Sequence, residues 1–500
     1  MARTKGSDDL FKLIHSLTPE EKGYFKKFAR RHADDGNKYL QLFDAINAQE
    51  KFEEAGLRKT FKGYADMKAY LLTMVLDALM LLEMNSSEVN KTIKQWFHVN
   101  ILNRKGLRSK AIQVSKKALQ QAKEMELFWL EHPLRKKLFD MEKHSWKIAE
   151  REVENAALFA DLKRAVAGMQ QTDGYFEVFQ KLSNYSNQWA FAGKQAMPLE
   201  QVTSIAELER EKSDVVTVER LRIATISMYY MLKQDFEKQY EVAKHYYSFE
   251  KKIWQSKSLL ADYDKYVKAI RAFILAALYT DRAEEVFALN EEMYAAKGTG
   301  ELERVENELC YFTYNQYAYW GTGRHKEGEK FSQQHFPDKL IEQHGSRFRL
   351  FILEFHRYKI LFEFANKSHK QLFNSIAAFQ SLGVKKDATS HYKSCELLKV
   401  LANVELNAFD VLPQMAANAI THLEAYGLTE GEKRILTALR KMNSGNKKEI
   451  LNKLLSSFEK DATATRIFMA FNIRTWLRTQ IEGRPFTAVF SDNRKAKGDA

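Results

Sequence analysis

From residue 8 onward apolar side chains recur at helical spacing, and no run alternates with the period of two that a half-buried strand needs. Little interrupts that pattern: the 500 residues include only six prolines and 21 glycines. A chain with so few breakers, rich in Leu, Ala, Lys, Glu and Gln, is expected to be helical almost throughout. It is also too long for one compact core, so the expectation is several globular domains or one elongated repeat.

The stretch NRKGLRSKAIQVSKKAL, residues 103 to 119, favours the repeat. One helix is expected over about Glu88 to Arg104, with Ser86 or Ser87 as cap, and a second from the turn at Lys105-Gly106 to about Glu124. On the second helix Leu107, Ala111, Val114, Ser115, Ala118, Leu119 and Ala122 fall on one stripe. Lys110 and Lys117 lie on one flank of it and Lys116 and Lys123 on the other, so the basic side chains do not form one face. Gly106, Ala111 and Ala118 resemble the tetratricopeptide pattern, in which a turn glycine is followed five residues later by one small residue and seven later by another, allowing close helix approach.

A repeat should place such turns at a fixed distance. The most turn-like residues between helical stretches are Gly63, Gly106, Glu150, Gly193, Asp235, Asp281, Gly323, Asn366, Asn407 and Gly445, giving a period of about 43. The spacing exceeds that of a tetratricopeptide unit and suits a two-helix HEAT-like one. The expected fold is therefore all-α: an α-solenoid of roughly nine antiparallel helical hairpins over residues 51–484. A small helical head precedes it over 1–50. In the head, Thr18, Pro19 and Glu21 spell a capping box with proline at the first helical position. From Pro485 periodicity fades, and residues 485–500 read as a disordered basic tail.

The opening LFKLIHSLTPEEKGYFKKFARR, followed by NKYLQLFDAI, also resembles a family of uncharacterised helical-repeat proteins, mostly from Bacteroidota. The likeness covers Leu10 to Ile46 and implies a helical-repeat fold and a cytoplasmic setting. It implies no catalytic residues.

The residues themselves offer little catalytic chemistry. No phosphate loop, dinucleotide fingerprint, nucleophile elbow or H-E-x-x-H pairing occurs, so no cofactor and no metal are expected. His325, His335, His344 and His356 are spaced too widely for one helical face. Cys310 and Cys395 lie 85 residues apart without a metal-ligand pairing and read as buried thiols. The N-terminus carries acidic residues where a signal peptide has its apolar core. The longest apolar run, LLTMVLDALMLLEM at 71–84, is too short to span a bilayer and contains Asp77.

Charge is uneven. Residues 1–150 hold 28 Lys and Arg against 20 Asp and Glu, residues 151–429 hold 35 against 37, and residues 430–500 hold 15 against 8. Basic ends suit RNA, DNA or an acidic protein face, and equally suit solvated helices. The clusters are Lys26, Lys27, Arg30 and Arg31 early, and Arg466, Arg474 and Arg478 late.

The aromatic run LCYFTYNQYAYWGTG at 309–323 would form the first helix of a hairpin closed at Gly323. By that register Tyr314, Tyr317 and Trp320 face the inner surface, while Phe312 and Tyr319 enter the hairpin core; plain packing between thick helices is the alternative. The same register on the earlier hairpin presents Trp96, Asn100, Asn103 and Arg104, suited to an extended peptide backbone or a carboxylate. The expected function is a non-enzymatic scaffold holding a protein or peptide segment on its concave surface. An RNA- or ribosome-associated factor, or a DNA-associated regulator, is the alternative.

Overall fold

The computed structural model describes residues 8–31, 38–142, 148–192, 208–209, 212–296, 300–335, 348–382, 389–460 and 471–498. Among them are 23 α-helices and no strand. They divide into two compact units, Met1–Val178 with Lys212–Leu221, and Phe179–Glu211 with Arg222–Ala500.

The first unit opens with α1 (Asp9–Ser16), α2 (Pro19–Arg31), α3 (Lys38–Asn47), α4 (Glu54–Thr60) and α5 (Tyr64–Glu83). The capping box forms as its residues require: the Thr18 amide donates to Glu21 at 2.7 Å, and the Glu21 amide to the Thr18 hydroxyl at 3.2 Å. Phe25, Phe43, Leu71 and Val75 share one core, which thus runs past residue 50 into α5.

Next come α6 (Glu88–Arg104), α7 (Arg108–Glu124), α8 (Phe128–Glu142) and α9 (Ile148–Ala192), which from Phe179 on belongs to the second unit. Ser87 caps α6 by accepting from the Asn90 amide. Ala111, Ser115, Ala118 and Ala122 are fully buried, and α7 packs closely on both α6 and α8. One of the two expected lysine flanks, that of Lys116 and Lys123, makes ion pairs. Lys116 pairs with Glu142 at 2.8 Å and Lys123 with Asp161 at 2.9 Å, so these two charges face neighbouring helices. The turns expected near Glu150 and Gly193 do not flank a hairpin: between them lies the single 45-residue helix α9, and Gly193 itself is outside the described residues.

The second unit carries α11 (Phe236–Ser256), α12 (Tyr263–Tyr279), α13 (Ala283–Ala295), α14 (Glu301–Gly321), α15 (His325–Gln334), α16 (Arg349–Ala365), α17 (His369–Ser381) and α18 (Thr389–Glu405). The helix α10 (Val216–Lys233) precedes them and starts in the first unit. After them come α19 (Leu412–Glu424), α20 (Glu430–Arg440), α21 (Lys447–Lys460), α22 (Ile473–Glu482) and α23 (Phe486–Gly498). Most neighbours in sequence pack on one another. The segment after Pro485 is helical rather than an irregular tail, because Phe486 and Val489 supply a buried face.

One turn recurs in both units. Gly106, Glu126, Gln234, Asp281, Gly323, Lys367 and Asn407 all take positive φ. At each, the following amide donates to the carbonyl five residues earlier, as Leu107 does to Leu102, Arg282 to Ala277 and Arg324 to Tyr319. This is the Schellman closure of a helix. The next helix starts two residues after the αL position, except after Asn407. Five residues after that position the residue is buried every time, whether it is Ala111, Glu131, Gln239, Val286, Gly328, Leu372 or Leu412.

Late in the second unit, α16 and α18 are buried on most sides, polar residues such as His356, Glu363, Ser394 and Asn403 included, so neighbouring elements cover most of their surface. Phe471 packs on Phe364, Phe486 on Trp320, and Trp476 donates to Glu405 at 3.0 Å. Phe471 and the two helices that follow it thus contact the first helices of three earlier hairpins.

Candidate partner-binding site

On α6 the four residues expected to share a surface have different environments. Trp96 is half-buried against the α6–α8 core. Asn100 is half-buried and donates its amide to the Trp96 carbonyl at 3.0 Å. The Asn103 carbonyl accepts from Gly106 in the closing turn, while Arg104 is exposed. Sequence reasoning missed the neighbouring stripe. Phe97 is 54% exposed and Ile101 46%, one turn apart and in line with Arg104; Leu107, in the turn, is 56% exposed.

The preceding helix adds to this surface chemistry. The run 71–84 is apolar on both faces of α5: Leu71, Met74, Val75 and Ala78 enter the core, while Leu76, Met80 and Leu81 stay exposed. An apolar wheel on both sides was the available signal, since a helix with only one buried face needs only one apolar stripe. The corner between the helices is held by the Asn90 amide on the Glu83 carbonyl at 2.9 Å and by Lys94 on Asn85 at 3.0 Å. Exposed large apolar side chains, as each of these two helices carries, are what interaction surfaces present.

The aromatic run of α14 sits differently from the register expectation. Tyr314 is buried beside Cys310 and Arg271, whose guanidinium pairs with Glu306 at 2.5 Å. Tyr317 donates to Glu354 at 3.0 Å, and Trp320 lies among Phe362, Phe486 and Phe490. The reason is that α16 and the last helix pack over the α14 face that was expected to be open. Phe312 and Tyr319 do meet Phe331 on the second helix of the hairpin.

Glu354 joins three helices, accepting also from His391 at 2.7 Å and Arg357 at 3.2 Å. Burial pushes its carboxyl up, but the His391 hydrogen bond and the Arg357 charge hold it below the ordinary carboxylate value. These donors bind the carboxylate as a structural anion. Burial raises both Cys310 and Cys395 to about 12, which keeps the thiols protonated at neutral pH. His325 and His356 are lowered by burial to about 4. Among the described residues no group of three or more His, Cys, Asp or Glu is placed to hold a metal, and His344 lies outside them.

The two basic clusters diverge. Lys26 pairs with Asp44 at 2.7 Å, while Lys27, Arg30 and Arg31 are exposed on α2. Arg474 donates to the Phe458 carbonyl, and Arg478 reaches Asn493 at 3.0 Å and Glu459 at 3.1 Å. These two arginines tie α21, α22 and α23 together; Arg466 lies outside the described residues. No helix among the described residues is long and apolar enough to cross a membrane.

No protein-family model matches the chain, and no curated protein matches it.

Proposed function

We propose that this chain is a non-enzymatic scaffold of tetratricopeptide-like helical hairpins that holds a protein or an extended peptide segment. The observation that carries this reading is the exposed apolar side chains on α5 and on α6, with Leu76, Met80, Phe97 and Ile101 open to solvent. Trp96 and Arg104 beside it supply the residue types that anchor protein interfaces. The recurring αL turns support a repeat plan, while the likeness at residues 10–46 alone carries the reading of a bacterial, cytoplasmic protein akin to the family resembled there.

A second reading is favoured by Lys27, Arg30 and Arg31, three exposed cations on one helix that suit RNA or DNA phosphates. Affinity purification from the native cell, with and without nuclease, separates the two. Partners that survive nuclease and are lost on Phe97→Ser/Ile101→Ser support the scaffold. Partners that vanish with nuclease and are lost on Arg30→Glu/Arg31→Glu support the nucleic-acid reading.

A further inference from the structure

A groove of about 610 Å³ lies between α20 and α21 in the second unit. Its lining follows from helical spacing. Glu430, Lys433, Arg434, Thr437, Ala438 and Lys441 form one stripe along α20, and Ile450, Lys453, Leu454 and Ser457 form the facing stripe on α21. Each helix packs more closely on its outer neighbour, α19 or α22, than on the other. The floor is apolar, made by Ala438, Ile450 and Leu454, while the rim carries Lys433, Arg434, Lys441 and Lys453 against Glu430. Arg434 also lies over the Phe458 ring, and Lys453 pairs with Glu449 at 2.5 Å in solvent, where such a pair is weak. The segment 430–460 holds eight Lys and Arg against four Asp and Glu.

We infer that this groove binds an acidic amphipathic helix. An apolar trough between two helices accepts the apolar face of a third, read as anchors at i, i+4 and i+7. From Glu430 to Lys441 the stripe rises about 16 Å, which matches three turns of a guest helix. Carboxylates flanking the anchors meet the four rim cations, and this charge match selects the guest and its register. A nucleic acid fits less well. Its phosphates gain nothing from Ala438, Ile450 and Leu454, and among the described residues no aromatic ring lines the groove for base stacking. The residues lining the groove are not those of α5 and α6, so the inference does not depend on the outcome there.

The test is selection from a displayed library of 16-residue helix-forming peptides against the full chain and against Ala438→Trp, which fills the groove. Circular dichroism and melting establish that the variant is folded. Should it not fold, Lys433→Glu/Lys441→Glu, at two exposed positions, takes its place. The expected winners prefer the unmodified chain, carry net negative charge and space apolar residues at i, i+4 and i+7. A synthetic winner should bind Lys433→Glu/Lys441→Glu about tenfold more weakly. Winners that are neutral or basic, or equal enrichment on both chains, overturn the inference. So does a 16-nucleotide oligouridylate that binds through Lys433 and Lys441 while no peptide is enriched.

Discussion

Tyr247 on α11 donates its hydroxyl to Glu292 on α13 at 2.7 Å, across 45 residues of chain. Two turns earlier Tyr240 makes the same bond to Glu285 at 2.9 Å, also across 45 residues. Successive second helices are thus joined by matching tyrosine–carboxylate contacts, and Glu292 is the more heavily used acceptor, taking Tyr266 and Lys251 as well. Glu292→Ala leaves the buried Tyr266 hydroxyl unpartnered and should cost about 2–3 kcal/mol in urea melts, against about 1 kcal/mol for Tyr247→Phe. Burial pushes the Glu292 carboxyl up, but its hydrogen bonds hold it below 4.5, so its stabilisation is present above pH 4.5 and lost in acid.

The two closing glycines should respond differently to alanine. At Gly106 φ is +74° and the added Cβ meets nothing, so Gly106→Ala should cost about 1–2 kcal/mol from the backbone alone. At Gly323 φ is +76° and the Cβ also lies 3.3 Å from the Phe490 ring, so Gly323→Ala should cost more. Equal shifts in chemical denaturation would contradict the packing of the last helix on this turn.

Two buried groups give opposite pH slopes. Burial raises Glu363 to about 7, so the folded state holds a proton the unfolded chain releases between pH 4.5 and 7, and stability falls as pH rises through that window. Glu363→Gln should therefore be neutral near pH 4.5 and stabilising above pH 7, by about 3 kcal/mol at the limit. Burial lowers His325 to about 4, so there the unfolded chain binds the extra proton and stability is lost as pH falls from 6.5 towards 4. His325→Leu should flatten that acid loss by about 1.4 kcal/mol per pH unit, read from melts at several pH values.

Glu405 accepts from His369 at 2.8 Å, Trp476 at 3.0 Å and Gln480 at 3.1 Å. Trp476→Phe removes one donor from an acceptor that keeps two, at a cost of about 1–2 kcal/mol. Amide exchange should quicken in α22 and α23 and stay unchanged in α11–α13, since the lost contact belongs to the covering helices.

Helices were legible because their signals are local. Glu88–Arg104, its Ser87 cap, the Thr18 box and the turns at Gly106, Asp281, Gly323 and Asn407 are each specified within a few residues. The fate of Tyr314 and Trp320 was not legible, because it depends on helices tens to more than 160 residues away covering them. The unbroken course of α9 was likewise hidden, since no proline marks or forbids a turn there. Phe97 and Ile101 were overlooked because an exposed apolar residue has the same sequence signature as a buried one.

Only two of the seven recurring αL turns use glycine; the others use Glu, Gln, Asp, Lys and Asn. What closes these hairpins is a pair of main-chain bonds, which any residue tolerating that conformation allows. Each joint therefore constrains geometry and leaves spelling largely free. A lineage of such chains can rewrite most of its letters while each of these joints still closes, so its relatives are better sought by the way their helices end than by shared words.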